Sequence, residues 1–258
     1  MTAPVRVWPE SLLVSGGSGT IGLVIVEDAL KAGSRVLVTT SSEPGRARLE
    51  QLGVVTGGDL TVVDVDLARP QRLDPLLRDL RNRPDPPQAF VALSSGASGG
   101  LLEEKSYDEL AGLLHAKVWS AGLIASALGE RLVHWGWGRI VLVTGITGRE
   151  PIDGYAVGAA SNAALRTLAK SLSRRWAADG VTVNAVCPGP VESERLRGLA
   201  RTFGGTGEER ITLGQTHPLG RLVTPHEVAA VVRFLLDPVS SGVNGAEIVV
   251  DGGFGRAV

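Results

Sequence analysis

The sequence predicts an α/β protein built on one doubly wound parallel sheet with helices on both faces. Short runs of Val, Leu and Ile alternate with longer segments of helical character along the chain. Such alternation is typical of strands joined by crossover helices. The 258 residues are 43% hydrophobic but only 4% aromatic, which suits buried strands covered by helices. We therefore predict a single domain over residues 1–258.

The predicted elements follow one another without a linker or an internal repeat. Strands are predicted over Ser11–Ser15, Arg35–Thr40, Leu60–Val65, Ala89–Leu93, Ile140–Val143, Val181–Val186 and Ala246–Val250. Helices are predicted over Thr20–Ala32, Gly45–Leu52, Leu73–Arg83, Tyr107–Arg131, a segment that opens near Tyr155, and Pro225–Leu236. The polar, Gly-rich stretch at about 192–216 has no such pattern, and we interpret it as a mobile lid over a substrate.

Charge and composition exclude several classes of function. The net charge of −1 gives no electrostatic basis for binding nucleic acid or an anionic membrane. The single Cys187 cannot form an internal disulfide and fits a reducing compartment. No apolar run reaches the roughly 18 residues of a transmembrane helix, and the first residues do not resemble a signal peptide. We expect a soluble cytoplasmic protein.

A glycine-rich turn between the first strand and its helix predicts a dinucleotide site. Glycines there permit a tight turn and close approach of the backbone to a pyrophosphate, which the helix N-terminus then faces. A tight turn without a ligand is the alternative. The predicted contacts are Gly16, Ser18, Gly19, Thr20, Ile21 and Gly22.

The end of the second strand favours NADP(H) over NAD. Thr40, Ser41 and Ser42 stand where an acidic residue would hold the ribose 2′-hydroxyl of NAD and repel a 2′-phosphate. With hydroxyls present and Arg46 nearby, NADP is the predicted cofactor, although ordinary turn residues would look the same.

At these positions the chain resembles the short-chain dehydrogenase/reductase family, in particular its single-domain oxoacyl-carrier-protein reductases, over nearly its whole length. Ser15 to Gly22 is similar to the family's glycine turn, with Thr20 at one glycine, and the tail from Pro218 to Phe254 is also similar. The resemblance implies a Rossmann-type fold. It also implies that the cofactor is contacted by Asp64, Val65, Ser94, Gly96, Pro188, Gly189, Val191 and Ser193.

The family's catalytic residues do not stand at their usual places. Aligning on the strand at Gly138 and on the helix at Asn162 puts glycines, Gly145 and Gly158, at the Ser and Tyr positions. Asn162 stands at the Lys position and Lys117 at the position of the helix-four Asn. Ketoreductase domains of modular polyketide synthases carry the same exchange of Lys and Asn. Lys117 as an ordinary helix lysine is the alternative.

Tyr155 is a candidate substitute for the missing Tyr. It precedes Asn162 by the spacing found between Tyr and Lys in enoyl-carrier-protein reductases of the same superfamily. A phenol beside an ammonium group could donate a proton or stabilise an enolate. Packing at the start of the helix is the competing interpretation. Further polar candidates are Thr144, Thr147, Asp153 and His115, for each of which a structural role is the alternative.

Three functions remain open at this level. The first is an NADP(H)-dependent reductase of a bulky, possibly polyketide-type, carbonyl or enone, which uses Tyr155, Lys117 and Asn162. The second is a catalytically inactive partner or cofactor-binding protein, and the third is a non-redox cyclase, dehydratase or isomerase. The scattered histidines lack metal-ligand spacing, so no metal is predicted. The family resemblance implies a homotetramer or homodimer.

Overall fold

A computed structural model describes residues 8–93, 101–193, 196 and 216–256 of the chain. In this part the strands form one seven-stranded parallel sheet of order β3-β2-β1-β4-β5-β6-β7. The strands are β1 (Ser11–Ser15), β2 (Arg35–Thr40), β3 (Leu60–Asp64), β4 (Ala89–Ala92), β5 (Gly138–Val143), β6 (Val181–Pro188) and β7 (Glu247–Val250).

Helices cover both faces of this sheet, as the sequence predicted. They are α1 (Thr20–Lys31), α2 (Glu43–Thr56), α3 (Pro70–Asn82), α4 (Tyr107–Leu114), α5 (Ser120–Trp135), α6 (Ala156–Trp176) and α7 (Pro225–Leu236). The buried side chains of α3, α5 and α6 pack in one apolar cluster with one face of the strands. Those of α1, α2 and α7 pack in a second cluster with the other face. Alternate residues of β1 show the division, since Leu13 belongs to the first cluster and Leu12 and Val14 to the second.

Two helices begin earlier than the sequence predicted, for local reasons. Ser42 accepts a hydrogen bond from the Gly45 backbone N–H at 3.2 Å and so caps α2, which starts at Glu43. Helix α3 starts at Pro70, where the fixed φ of proline suits the first turn.

The long helix predicted over Tyr107–Arg131 is present, but a π-helical turn divides it into α4 and α5. Between α4 and α5 the residues His115–Trp119 form a π-helical turn. By length and composition, the whole segment Tyr107–Trp135 is the one helix among those described that could cross a membrane. Its side chains Ile124, Leu128 and Leu132 are fully buried against the sheet. We therefore interpret it as a core helix.

Candidate functional site

The main cleft lies at the carboxyl ends of the strands. It has a volume of about 1610 Å³ and is lined by residues that follow each of the strands β1 to β6. Strand β1 lies between β2 and β4 in the sheet, so the chain reverses its direction of strand addition there. A crevice at such a switch point is the usual ligand site of an open α/β sheet.

The glycine turn forms one wall of the cleft. Gly16 has a φ of 68°, a conformation that glycine adopts without strain. A side chain at Gly22 would place its Cβ 2.6 Å from the Gly17 carbonyl oxygen, so the start of α1 must lie directly on the turn. All six predicted contacts, Gly16, Ser18, Gly19, Thr20, Ile21 and Gly22, line the cleft.

Hydroxyl groups and one arginine form the adjoining wall. The Ser18 and Thr40 side-chain oxygens are 3.0 Å apart, and Ser41 and Ser42 line the same part of the cleft. Arg48 of α2 also lines it. By contrast Arg46, which we noted from the sequence, does not; its guanidinium lies 3.5 Å from the Glu50 carboxylate. The arginine at this wall is therefore Arg48, which lies two residues after Arg46 on α2.

After β3, the residues that line the cleft are not all those that were predicted. Val65 lines the cleft, but Asp64 at the end of β3 is exposed and lies outside it. The Val65 N–H donates to the Thr40 carbonyl oxygen at 2.9 Å, so the chain stays beside β2 for one more residue. As a result Asp66 reaches the cleft, where its carboxylate lies 3.2 Å from Arg69 Nε. Neither Asp66 nor Arg69 was predicted from the motif.

The segment after β6 is placed as expected. Pro188, Gly189, Val191 and Ser193 all line the cleft. A Cβ at Gly189 would lie 2.6 Å from the Cβ of Asp251, which explains why this position requires glycine. Ser94 and Gly96 lie outside the described residues, as do most residues of the predicted lid at 192–216.

Lys117 and Tyr155 both face the cleft from positions that are almost fully buried. Lys117 lies in the π-helical turn, with 5% of its surface exposed. Tyr155 is the residue immediately before α6 and is 6% exposed. The π-turn matters here because an extra residue in a helix turns one side chain out of the regular pattern, a feature that is frequent at functional sites.

The ring of Tyr155 lies over Gly158. A Cβ added at Gly158 would be 2.1 Å from Cε1 and 2.3 Å from Cζ of Tyr155. No side chain other than hydrogen fits there while the ring keeps this position. The glycine and the tyrosine are therefore a matched pair, with the ring in the space where a side chain from position 158 would begin.

A second matched pair surrounds Gly145. A Cβ at Gly145 would lie 2.8 Å from Asn162 Nδ2, so the carboxamide of Asn162 fills the space beside this glycine. Asn162 Nδ2 donates to Thr147 Oγ1 at 2.9 Å. Thr147 belongs to the 3₁₀ turn Ile146–Gly148 and lines the cleft together with Gly145 and Asn162.

The other polar candidates have structural partners. Thr144 donates to the Val186 carbonyl oxygen at 3.1 Å and also contacts Glu247. His115 Nδ1 lies 2.7 Å from the Leu67 carbonyl oxygen, and Asp153 does not line the cleft. Burial, with a smaller effect of the Glu247 carboxylate, raises the pKa of the Cys187 thiol to about 11, so this thiol is a neutral core group.

The described residues fit a dinucleotide phosphate. A side chain at Gly17 would clash with Val38, and one at Gly22 with the backbone of Gly17. The N-terminus of α1 lines the cleft, where its N–H groups can face a pyrophosphate. The wall of Ser41, Ser42 and Arg48 offers donors to an additional phosphate, as NADP requires. The described residues contain no group of three or more His, Cys, Asp or Glu side chains that could hold a metal ion.

Comparisons with known proteins agree with this geometry. The family model described as enoyl-(acyl carrier protein) reductase matches residues 17–255. The 3-oxoacyl-[acyl-carrier-protein] reductase MabA of Mycobacterium tuberculosis is 28% identical over 248 residues, which cover 95% of this chain and 93% of MabA. A tropinone reductase homologue of Arabidopsis thaliana is 30% identical over 246 residues, covering 93% of this chain and 78% of the homologue.

Among solved structures, an actinorhodin polyketide ketoreductase with NADPH superposes with a TM-score of 0.87. It is 27% identical in sequence, and the match covers 96% of this chain and 98% of that one. The family match spans nearly the whole chain, from residue 17 to residue 255. The chain therefore belongs to the short-chain dehydrogenase/reductase family, in the branch described by the enoyl-(acyl carrier protein) reductase model.

Proposed function

We propose that this protein is an NADPH-dependent reductase of a carbonyl or enone group on a bulky, polyketide-type small molecule. Its family is one of oxidoreductases, and the polyketide ketoreductase that it resembles was solved with NADPH. The observation that carries the proposal is the ring of Tyr155 over Gly158. It supports the interpretation that Tyr155 replaces the family's tyrosine, whose position in the sequence is taken by Gly158.

The proposed roles follow from the side chains that share the cleft. NADPH, when bound, supplies the hydride. Tyr155 holds the proton at the substrate oxygen, and the ammonium group of Lys117 favours the phenolate that remains after the proton has moved. Asn162 positions the turn that faces the substrate. The space left by two glycines at Gly145 and Gly158 is taken by Asn162 and by the Tyr155 ring, so substrate bulk must be accommodated by the wider cleft.

On the cofactor side, the glycine turn would hold the pyrophosphate. Ser41, Ser42 and Arg48 would hold the 2′-phosphate that distinguishes NADP from NAD. We further propose a cytoplasmic homodimer or homotetramer, as expected for this family.

The test is reduction of bicyclic ketones, followed by the loss of NADPH absorbance, in wild type and in Tyr155→Phe. Removal of the phenolic hydroxyl removes the proton donor, and we expect turnover to fall by about 10²- to 10⁴-fold. The sequence has only two tyrosines, and the other, Tyr107, is 83% exposed. Tyr107→Phe is therefore the matched control and should retain wild-type turnover.

Lys117→Met tests the ammonium group in the same assay, with the exposed Lys170→Met on α6 as its control. Wild-type rates in Tyr155→Phe would remove Tyr155 from its role. Saturable NADPH binding without reduction of any ketone would favour the inactive cofactor-binding protein instead. Product formation without NADPH would favour the non-redox enzyme.

A further inference from the structure

We propose that Thr147 donates a hydrogen bond to the substrate oxygen, and that Asn162 orients Thr147 for this purpose. This inference rests on the proposed function, and it adds a residue to it. Its basis is the geometry of three cleft-lining residues, Gly145, Thr147 and Asn162.

Position 145 itself cannot readily supply the donor. A Cβ there would lie 2.8 Å from Asn162 Nδ2 and 3.3 Å from Asn162 Cγ. The carboxamide thus occupies the volume that a serine would need. The carboxamide cannot move away easily, because Asn162 is only 4% exposed. Gly148 also packs closely against it, since a Cβ added at Gly148 would lie 2.7 Å from the Cβ of Asn162.

Thr147 offers an alternative hydroxyl, since that of Thr144 already donates to the Val186 carbonyl oxygen. The turn that carries Thr147 is held rigidly, since the Gly148 N–H donates to the Gly145 carbonyl oxygen at 3.0 Å and the Arg149 N–H to that of Ile146 at 2.9 Å. Thr147 is partly exposed in the cleft. A preorganised donor of this kind costs no reorganisation when charge develops on the substrate oxygen.

The hydrogen bond from Asn162 sets the direction of the Thr147 hydroxyl. Asn162 Nδ2 donates to Thr147 Oγ1 at 2.9 Å, so an oxygen lone pair is used and the hydroxyl hydrogen remains to be donated. Within the described part of the chain, no acceptor for that hydrogen is found. The hydroxyl is therefore available to an oxygen in the cleft.

The opposite orientation of the amide is less favourable. Asn162 Oδ1 is buried and has no hydrogen-bond partner among the described residues. Turning the amide around would put an NH₂ group, with two donors, in the place of this single acceptor. Two buried unsatisfied donors cost more than one unsatisfied oxygen, and so the nitrogen faces Thr147.

The experiment compares Thr147→Val, which keeps the shape of the side chain and removes the hydroxyl, with Thr147→Ser, which keeps the hydroxyl. We expect kcat for a bicyclic ketone to fall by about 10²-fold in Thr147→Val, a loss typical of one oxyanion donor. Thr147→Ser should stay within a few-fold of wild type. The NADPH dissociation constant should be the same in all three proteins, which a misfolded cleft would not preserve.

A second readout does not depend on turnover. With 1-tetralone bound in the presence of NADP⁺, a hydrogen bond to the ketone lowers its carbonyl stretching frequency in the infrared. Wild type and Thr147→Ser should show the lowered frequency, and Thr147→Val should show a frequency closer to that of the free ketone.

The outcomes separate this inference from the proposed function. If wild type reduces ketones and Thr147→Val matches it in both kcat and carbonyl frequency, Thr147 is not the donor, while the reductase stands. If wild type neither reduces nor binds any ketone, the proposed function fails and the role of Thr147 fails with it.

Discussion

At Gly145 and Gly158, a neighbouring side chain fills the space that a side chain at the glycine would need. Gly158 is the clearest case, because the Tyr155 ring lies where its Cβ would be. The usual cost of glycine in a helix, about 1 kcal/mol relative to alanine, is thus offset by the ring contact. A stability gain from alanine, ordinarily expected at a helical glycine, should not occur here.

We predict that Gly158→Ala displaces the Tyr155 ring and lowers ketone turnover at least 10-fold without loss of NADPH binding. The added Cβ would lie 2.1 Å from ring atom Cε1, so the ring must move. The control is Gly242→Ala, where an added Cβ has no neighbour within 4 Å. Unchanged turnover in Gly158→Ala would show that the ring position is not required for the reaction.

At the same scale, the sequence predicted many of the residues that line the cleft but not all of them. The residues of the glycine turn and of the segment after β6 follow from motif spacing, since backbone geometry fixes them. Asp66 and Arg48 were not predicted, because Asp66 reaches the cleft through one extra paired residue after β3 and Arg48 through its position on α2. A motif search carries no such information.

Three of the described helices, α2, α4 and α7, begin after a residue whose side chain caps the first turn. Helix α7 illustrates this, since its first turn contains a full capping box. Thr224 accepts from the Glu227 N–H at 3.3 Å, and the Glu227 carboxylate accepts from the Thr224 N–H at 2.8 Å. Arg221 forms a bidentate ion pair with the same carboxylate, in which Nη2 lies 2.7 Å from Oε1 and Nη1 lies 3.0 Å from Oε2.

We predict that Glu227→Gln destabilises the protein at neutral pH and that the difference from wild type disappears in acid. The Arg221 guanidinium, with help from the Thr224 N–H, lowers the pKa of Glu227 from 4.5 to about 2. Because the folded-state pKa is the lower one, the stabilisation is complete above about pH 4.5 and is lost as the pH falls towards 2. The carboxylate is 39% exposed, so solvent screening keeps the effect below about 1 kcal/mol.

Urea unfolding at a series of pH values measures this effect. The exposed Glu103→Gln serves as a control for the loss of one negative charge. A Glu227→Gln deficit that stays constant from pH 7 to the acid limit of folding would contradict the ion-pair explanation.

Element prediction succeeded where capping and apolar patterns agree, and failed where a helix departs from regular geometry. β1, β2, β7 to within one residue, and the last helix were predicted from runs of apolar residues and from Pro225. The π-turn at His115–Trp119 was not, because an inserted residue leaves the overall apolar content of the segment unchanged. Yet this turn carries Lys117, so the undetected irregularity lies in the lining of the cleft.

For the whole molecule, the fold could be predicted because its central strands β1, β4, β5 and β6 are buried on both faces. Leu12, Leu13 and Val14 are all fully buried, and such continuous apolar runs occur where helices cover both sides of a parallel sheet. The order of the strands places β1 at the switch point, so the fold and the place of the cleft are a single consequence of topology. The chemistry performed there depends on single side chains that topology does not determine.

We predict that NADPH stabilises the whole protein more than NADH does, and that the difference depends on Arg48. A ligand at 100 times its dissociation constant stabilises the folded state by about 2.7 kcal/mol, which raises the Tm of a domain of this size by roughly 5–10 °C. Arg48→Ala removes the α2 cation that lines the cleft, so NADPH should lose most of its advantage over NADH. Arg46→Ala is the matched control, because Arg46 pairs with Glu50 outside the cleft.

Thermal unfolding of the three proteins with each cofactor at the same concentration measures this linkage between site and fold. In wild type and Arg46→Ala the rise in Tm with NADPH should exceed that with NADH. In Arg48→Ala the two rises should be nearly equal, with the NADH response unchanged, because the 2′-phosphate is the sole chemical difference between the cofactors. An unchanged NADPH response in Arg48→Ala would show that the hydroxyl groups of Ser41 and Ser42 hold the phosphate without the arginine.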